Sequence, residues 1–238
     1  MLKKIVTGTA AVLGLVLTVP AQAALSDRGG GMLYDDVLNV TWLQDANYAK
    51  TSGYDADGQM SWSAARSWAA GLVYGGYDDW RLAANTPVVA GWNYNFSLSG
   101  STDFGYNITS PHSELSYMYY VNLGLTGEYS ALGVTQPDFG VFGNGASGGQ
   151  KDVGLVRNLQ SYAYWSNTAY APLPANFAWI FYTNLGAQSF NFQGLESFAW
   201  AVRPGDVATP VPEPEIYAMI MAGLGIIGFS ARRRKYRS

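Results

Sequence analysis

The sequence predicts an α+β domain. Two stretches carry apolar residues at helical spacing, at 61–72 and 113–123, and strand-like runs fill the segment from 162 to 202. No internal repeat of roughly 20–50 residues suggests a solenoid or propeller instead. At 238 residues, with 48% hydrophobic and 15% aromatic side chains, the chain holds enough apolar mass for one ordinary core.

The chain opens with Lys3 and Lys4, an apolar run over 5–19, Pro20 and then Ala21-Gln22-Ala23. A positive flank, a short apolar stretch and a small-residue cleavage site make a secretory signal peptide over 1–23. Residues 32–34 and 38–42 flank Asp35-Asp36 and read as a hairpin at the start of the domain. Asp55-Ala56-Asp57-Gly58 resembles part of a calcium loop, but Gln59 and Arg66 stand where such a loop needs its next ligands. The segment is therefore a turn leading into a helix. Ser61 is its N-cap, and Trp62, Ala65, Trp68, Ala69 and Leu72 follow at helix period.

Gly75-Gly76-Tyr77-Asp78-Asp79-Trp80-Arg81-Leu82 ends that helix and starts an extended stretch. Residues 85–106 form a long loop rich in Asn, Ser, Gly and Tyr, as do 140–149, and loops of this length are candidate functional surfaces. A second helix runs from Ser113, its cap, through Leu115, Met118, Tyr119 and Leu123 to Gly124. The strands expected after it are 162–165, 177–183, 188–192 and 198–202, with Asn184-Leu185-Gly186 closing a hairpin.

Composition excludes several chemistries. There is no Cys, so disulfide scaffolds, thiolate zinc sites and a cysteine nucleophile are out. The lone His112 beside Pro111 is a surface residue at a helix start, and no Gly-x-Ser-x-Gly elbow supplies a partner nucleophile. No metal ligand set and no cofactor motif stands out. Residues 24–211 hold 15 acidic and 7 basic side chains, and the bases are scattered. Without a basic stripe to neutralise phosphates, nucleic acid is not the expected partner.

Among the tryptophans, 42, 62, 68, 80, 165, 179 and 200 fall in expected elements and belong to the core. Trp92, Tyr94, Phe96 and Tyr106 lie in the long polar loop. They either form an exposed stacking platform for sugar rings or pack on themselves as in an Ω-loop. Gln136-Pro137-Asp138 resembles the sugar-selecting tripeptide of calcium-dependent lectins, and Trp165-Ser166-Asn167 is similar to their second motif with its charged ligand replaced. Trp92, Tyr94, Gln136 and Asp138 are accordingly the candidate glycan-binding residues.

At the far end, Pro212, Glu213 and Pro214 precede an uncharged run over 216–231, then Arg232, Arg233, Arg234 and Lys235. Sixteen helical residues rise about 24 Å against a hydrocarbon core of about 30 Å, and the basic residues after them act as a membrane stop that can snorkel. Order and spacing resemble the PEP-CTERM sorting signal of exosortase substrates. The resemblance implies transient anchoring in the inner membrane of a Gram-negative bacterium through a transmembrane helix at 216–231. It further implies an exosortase as partner and the cell surface or extracellular matrix as destination. Residues 209–238 are then the sorting signal and 24–208 the domain it delivers.

Within that domain, residues 38–49 with Trp42, the Gly-Gly-Tyr-Asp-Asp-Trp-Arg-Leu run, Tyr164-Trp165-Ser166-Asn167-Thr168 and Ala199-Trp200-Ala201-Val202-Arg203 resemble the Lcl C-terminal-domain-like family. Ala83 stands where members often carry Pro, and their paired Cys are absent. The resemblance implies a C-type-lectin-like fold with two helices and antiparallel sheets. The expected function is a non-enzymatic surface or matrix protein acting in adhesion or in contact with exopolysaccharide or another glycan. A secreted hydrolase and a purely structural, ice-binding-like matrix protein are the alternatives, the latter without the Thr-x-Thr arrays it would call for.

Overall fold

The computed structural model describes residues 25–207. The expected signal peptide, the sorting motif at Pro212–Pro214, the span at 216–231 and the basic tail lie outside the described residues. Among the described residues no helix is long and apolar enough to cross a membrane.

The chain begins with three antiparallel strands, β1 (Leu25–Asp27), β2 (Met32–Asp35) and β3 (Val40–Leu43). The hairpin expected at Asp35-Asp36 forms because the buried Asp35 carboxylate takes the backbone N–H groups of Val37 and Leu38 at 3.0 and 2.9 Å. Its other oxygen accepts from Asn122 Nδ2 at 2.6 Å. Burial pushes this carboxyl above its usual range, and the three hydrogen bonds oppose that shift.

A short helix α1 (Tyr48–Thr51) and β4 (Gln59–Met60) lead to α2 (Trp62–Ala70). Asp55 and Asp57 close the turn between them by accepting backbone N–H groups from Asp57, Gly58 and Gln59. Ser61 caps α2 as expected, accepting from the Ala64 N–H at 3.4 Å, and Trp62, Ala65, Trp68 and Ala69 form its buried stripe. After it come β5 (Arg81–Leu82), β6 (Phe96–Ser97) and β7 (Phe104–Tyr106).

The second helix departs from expectation. α3 spans only Glu114–Tyr117 and continues as a π-helical turn over Met118–Asn122, with the Leu123 N–H bonded to the Met118 carbonyl at 2.9 Å. The wider turn lets two consecutive rings, Tyr119 and Tyr120, both reach Phe181. Ser113 occupies the cap position but makes no side-chain cap bond; its hydroxyl donates to Gln188 instead.

The remaining strands are β8 (Gln150–Val153), β9 (Val156–Gln160), β10 (Ala163–Ala169), β11 (Phe177–Tyr182), β12 (Ala187–Phe192), β13 (Ser197–Phe198) and β14 (Ala201–Pro204). The hairpin β11–β12 closes through Gly186, whose φ of 74° suits the left-handed turn position. The single strand expected over 198–202 is in fact two. β13 pairs with β10 and β4, while β14 crosses to pair with β3 and β5. Trp200 sits at the crossing, where its indole N–H donates to the Leu43 carbonyl at 2.7 Å.

One sheet runs β1-β2-β3-β14-β5 and the other β4-β13-β10-β11-β12-β7-β6, with β8–β9 as a separate hairpin. Most pairings are antiparallel; β10–β13 and β6–β7 are parallel. The result is an α+β domain with mixed sheets and a few short helices. Its core runs from Leu33, Trp42 and Val202 through Trp200 and Tyr164 to Ala178 and Ile180. All seven tryptophans assigned to the core are buried.

Candidate functional site

The long loop between β5 and α3 is pinned rather than loose. Glu114 bridges both oxygens to Arg81 at 2.7 Å and also takes the Ala84 N–H at 2.6 Å. Asn85 exchanges two hydrogen bonds with the Thr168 hydroxyl, at 3.0 and 2.9 Å. The Thr86 hydroxyl lies 2.8 Å from Nδ1 of exposed His112, so the lone histidine is a loop fastener. The central anchor is Asp103. It is fully buried, and its two oxygens take the N–H groups of Val88 at 2.7 Å and Asn93 at 2.6 Å. Among the described residues it has no ion pair.

Asp103 thereby fixes the backbone on which Trp92 and Tyr94 stand. Both rings are half-buried. Trp92 stacks on fully buried Trp179 with centroids 5.5 Å apart and planes 18° apart, and Tyr94 lies 6.2 Å from Trp179 at the same inclination. Trp92 and Tyr94 are 6.1 Å apart and nearly parallel. Three similar spacings describe a triangle of near-parallel rings, not a column. Burial pushes the Tyr94 hydroxyl above its usual range, with Tyr170 and Asp103 adding to the effect. The two rings are thus neither a free platform nor a closed cluster: one side rests on core and part of each remains accessible.

From this triangle an aromatic band extends, of which sequence reasoning singled out Phe96 but not Phe104, Tyr170, Phe190 or Phe192. Phe177 and Trp179 face Phe192 and Phe190 across β11–β12. Tyr170 stacks on Phe190 at 3.9 Å, and Phe190 touches Phe104, which touches Phe96. Phe96 and Phe192 are the open ends, 55% and 49% exposed. Parallel pairing of β6 with β7 brings Phe96 onto Phe104, and it requires Gly105. Its φ is 127°, and a Cβ there would sit 1.9 Å from the Ser97 carbonyl oxygen. The two halves of the band, 92–104 and 170–192, meet through rings 76 to 87 residues apart along the chain, so no local pattern could have paired them; period-two aromatics at 92, 94, 96, at 177, 179 and at 190, 192 were the visible signal.

The other two candidates lie elsewhere. Gln136 donates to the Gly127 carbonyl at 3.1 Å and its backbone N–H to Glu128, so its amide shapes its own turn. It adjoins the band through Glu128, whose carboxylate accepts from the Tyr106 hydroxyl at 2.9 Å. Burial first, then this carboxylate, raises the Tyr106 hydroxyl strongly. Exposed Asp138 lines a separate hollow of about 330 Å³ with Lys151 and Phe142. The second lectin-like tripeptide is interior: Trp165 donates to the Met60 carbonyl, Ser166 is buried, and Asn167 accepts from Arg66. Among the described residues no cluster of three acidic or histidine side chains could hold a metal ion.

Comparison with protein families matches residues 210–235 to the PEP-CTERM protein-sorting motif. The match contains Pro212, Glu213 and Pro214 and ends at Lys235, so the chain carries the sorting signal of the exosortase export system. No curated protein and no solved structure matches the chain.

Proposed function

We propose that the exported domain is a non-enzymatic surface or matrix protein that binds neutral extracellular glycan along its aromatic band. The observation that carries this reading is the band itself: Trp92 and Tyr94 held flat against Trp179, continuous with half-exposed Phe96 and Phe192. Aromatic faces take the C–H patches of sugar rings, and Asn93 and Asn95 beside them offer hydrogen bonds. Delivery by the exosortase system puts such a surface where polysaccharide is.

Charge selects the glycan. The exported region carries a net charge near −8, which repels anionic polymers over a Debye length of about 8–10 Å. The carboxylates with the best geometry are already engaged in structure, Glu114 with Arg81 and Asp103 with the loop, which favours binding over hydrolysis. The fold reading is C-type-lectin-like and close to the Lcl C-terminal domain. Its support is that the segments carrying that resemblance meet in one place. Trp42 and Trp200 are in edge contact at 4.8 Å, Asp79 pairs with Arg203 at 2.7 Å, and Asn167 donates to the Ala83 carbonyl at 2.7 Å. Asp138 alone among Gln136, Asp138 and the Trp165–Asn167 segment is a carboxylate, so binding does not depend on calcium.

The test is retention on neutral polysaccharide, with and without a calcium chelator. Because Trp92 and Tyr94 rest on core, their double alanine variant lowers stability as well as binding. Phe96→Ser with Phe192→Ser removes exposed rings and separates the two effects. Each ring lost should weaken binding by about 1–3 kcal/mol, by analogy with bases stacking on aromatics. Wild-type retention in both variants would reject the band as the binding surface.

A further inference from the structure

A second hollow, of about 410 Å³, uses none of the band's residues. It lies between α1, the turn at Gly31 and Tyr74, and the β8–β9 hairpin, and its size falls within the roughly 300–1,000 Å³ of small-molecule sites. Tyr48 and Tyr74 give it an aromatic wall, their rings edge to face at 5.0 Å. Asp45, Asp152 and Arg157 give it charge.

Its polar groups are fixed before any ligand arrives. Asn158 ties the two carboxylates together: Nδ2 donates to Asp45 at 2.9 Å, and the backbone N–H donates to Asp152 at 2.9 Å. Arg157 donates to the other Asp152 oxygen at 2.9 Å, and its strand is zipped to residues 44–46 by backbone bonds of 2.8 and 2.9 Å. The Asn158 and Arg157 bonds hold the Asp152 carboxyl below its usual range, so it stays ionised at neutral pH. Each Asp45 oxygen takes one N–H, from Asn47 and from Asn158, and keeps a lone pair. Among the described residues Arg157 uses one of its five side-chain donors, toward Asp152.

We propose that this hollow binds a single neutral hexose unit, its hydroxyls shared between the Asp45 carboxylate and the Arg157 guanidinium and its C–H face against Tyr48 and Tyr74. Two carboxylates against one guanidinium leave a net negative site, which turns away sugar acids. Arg157 lying on Asp152 turns away metal cations. A neutral ligand with many hydroxyls satisfies both groups at once, and the preset array lowers the ordering cost of binding it.

The experiment is an amide NMR titration of the labelled exported protein with D-glucose, D-galactose and D-mannose, and with D-glucuronate and calcium chloride as controls. At least one neutral hexose should shift the amides of Gln44, Asp45, Arg157 and Asn158 saturably at millimolar concentration, and neither control should. Arg157→Ala, at a half-exposed side chain, should weaken this binding about tenfold or more without moving the melting temperature. Arg157→Lys should fall between, since it keeps the charge and loses the planar fork. Absence of hexose shifts, or equal shifts with glucuronate or calcium, would overturn the proposal. Shifts that disappear in the Phe96→Ser, Phe192→Ser variant would overturn it too, while leaving the band as the glycan surface.

Discussion

Replacing Asp103 with asparagine exchanges one oxygen for an NH₂ group in a fully buried site. Both carboxylate oxygens receive a backbone N–H, from Val88 and Asn93, so the new NH₂ must face one of these donors. One charge-assisted bond is lost and the other becomes neutral. Bonds of this kind contribute about 1.5–3 kcal/mol each, and relief of the buried charge offsets part of the second loss, so about 1.5–3 kcal/mol is the net expectation. At about 1.4 kcal/mol per factor of ten, protection of the Val88 and Asn93 amides against hydrogen exchange should fall roughly ten- to hundred-fold. The amides of Ile180 and Phe181, in the middle of β11, should keep their protection, because the loss is confined to the loop. Retention on neutral polysaccharide should fall in parallel, since Trp92 loses its support. Unchanged protection at Val88 and Asn93 would refute the anchoring argument. An equal fall in β11 would show that Asp103 holds up the whole domain and not the loop.

Two further outcomes follow, one from the sorting motif and one from the core. Replacing Pro212, Glu213 and Pro214 together with alanine should leave full-length protein in the inner-membrane fraction, because the apolar run and Arg232–Lys235 remain; release equal to wild type on fractionation and blotting would remove the sorting role of the motif. Trp68→Ala removes a buried ring from α2 and should cost about 3–5 kcal/mol, a melting shift on the order of 10 °C, and a shift of only a few degrees would mean that the helix does not depend on this contact.

Local chemistry was legible in the sequence and long-range placement was not. The Asp35 hairpin, the Ser61 cap with its tryptophan stripe, and the β11–β12 hairpin each depend on residues within about ten positions of one another, and each forms as read. The 198–202 run carries no Gly or Pro to mark its crossing between sheets, and an unbroken apolar run fits one strand or two. The π-helical turn is decided by Phe181, some 60 residues downstream of the tyrosines it receives. Asp103 looked like one more polar loop residue. Its role appears only when Val88 and Asn93 fold back over it. Of the four glycan candidates, Trp92 and Tyr94 stand side by side, while Gln136 and Asp138 occupy other neighbourhoods.

The last described strand and the aromatic band occupy different parts of the fold. β14 is the last strand among the described residues and sits inside the five-stranded sheet, paired on one side with β3 and on the other with β5. Its end is fastened by several bonds at once. The Thr41 hydroxyl donates to the Gly205 carbonyl at 2.7 Å, the Gly205 N–H donates to Asn39 at 2.8 Å, and Arg28 pairs with Asp206 at 2.8 Å. Arg203 adds a bidentate pair with Asp79 and lies 4.0 Å from the centre of the Tyr77 ring. The last described strand is thus held in the five-stranded sheet by backbone pairs and by an ion pair only 10% exposed on its arginine side. The aromatic band belongs to β6, β7, β11 and β12 of the other sheet and to the loop that Asp103 holds. The strand that precedes the sorting signal and the aromatic band therefore lie in different sheets of one core.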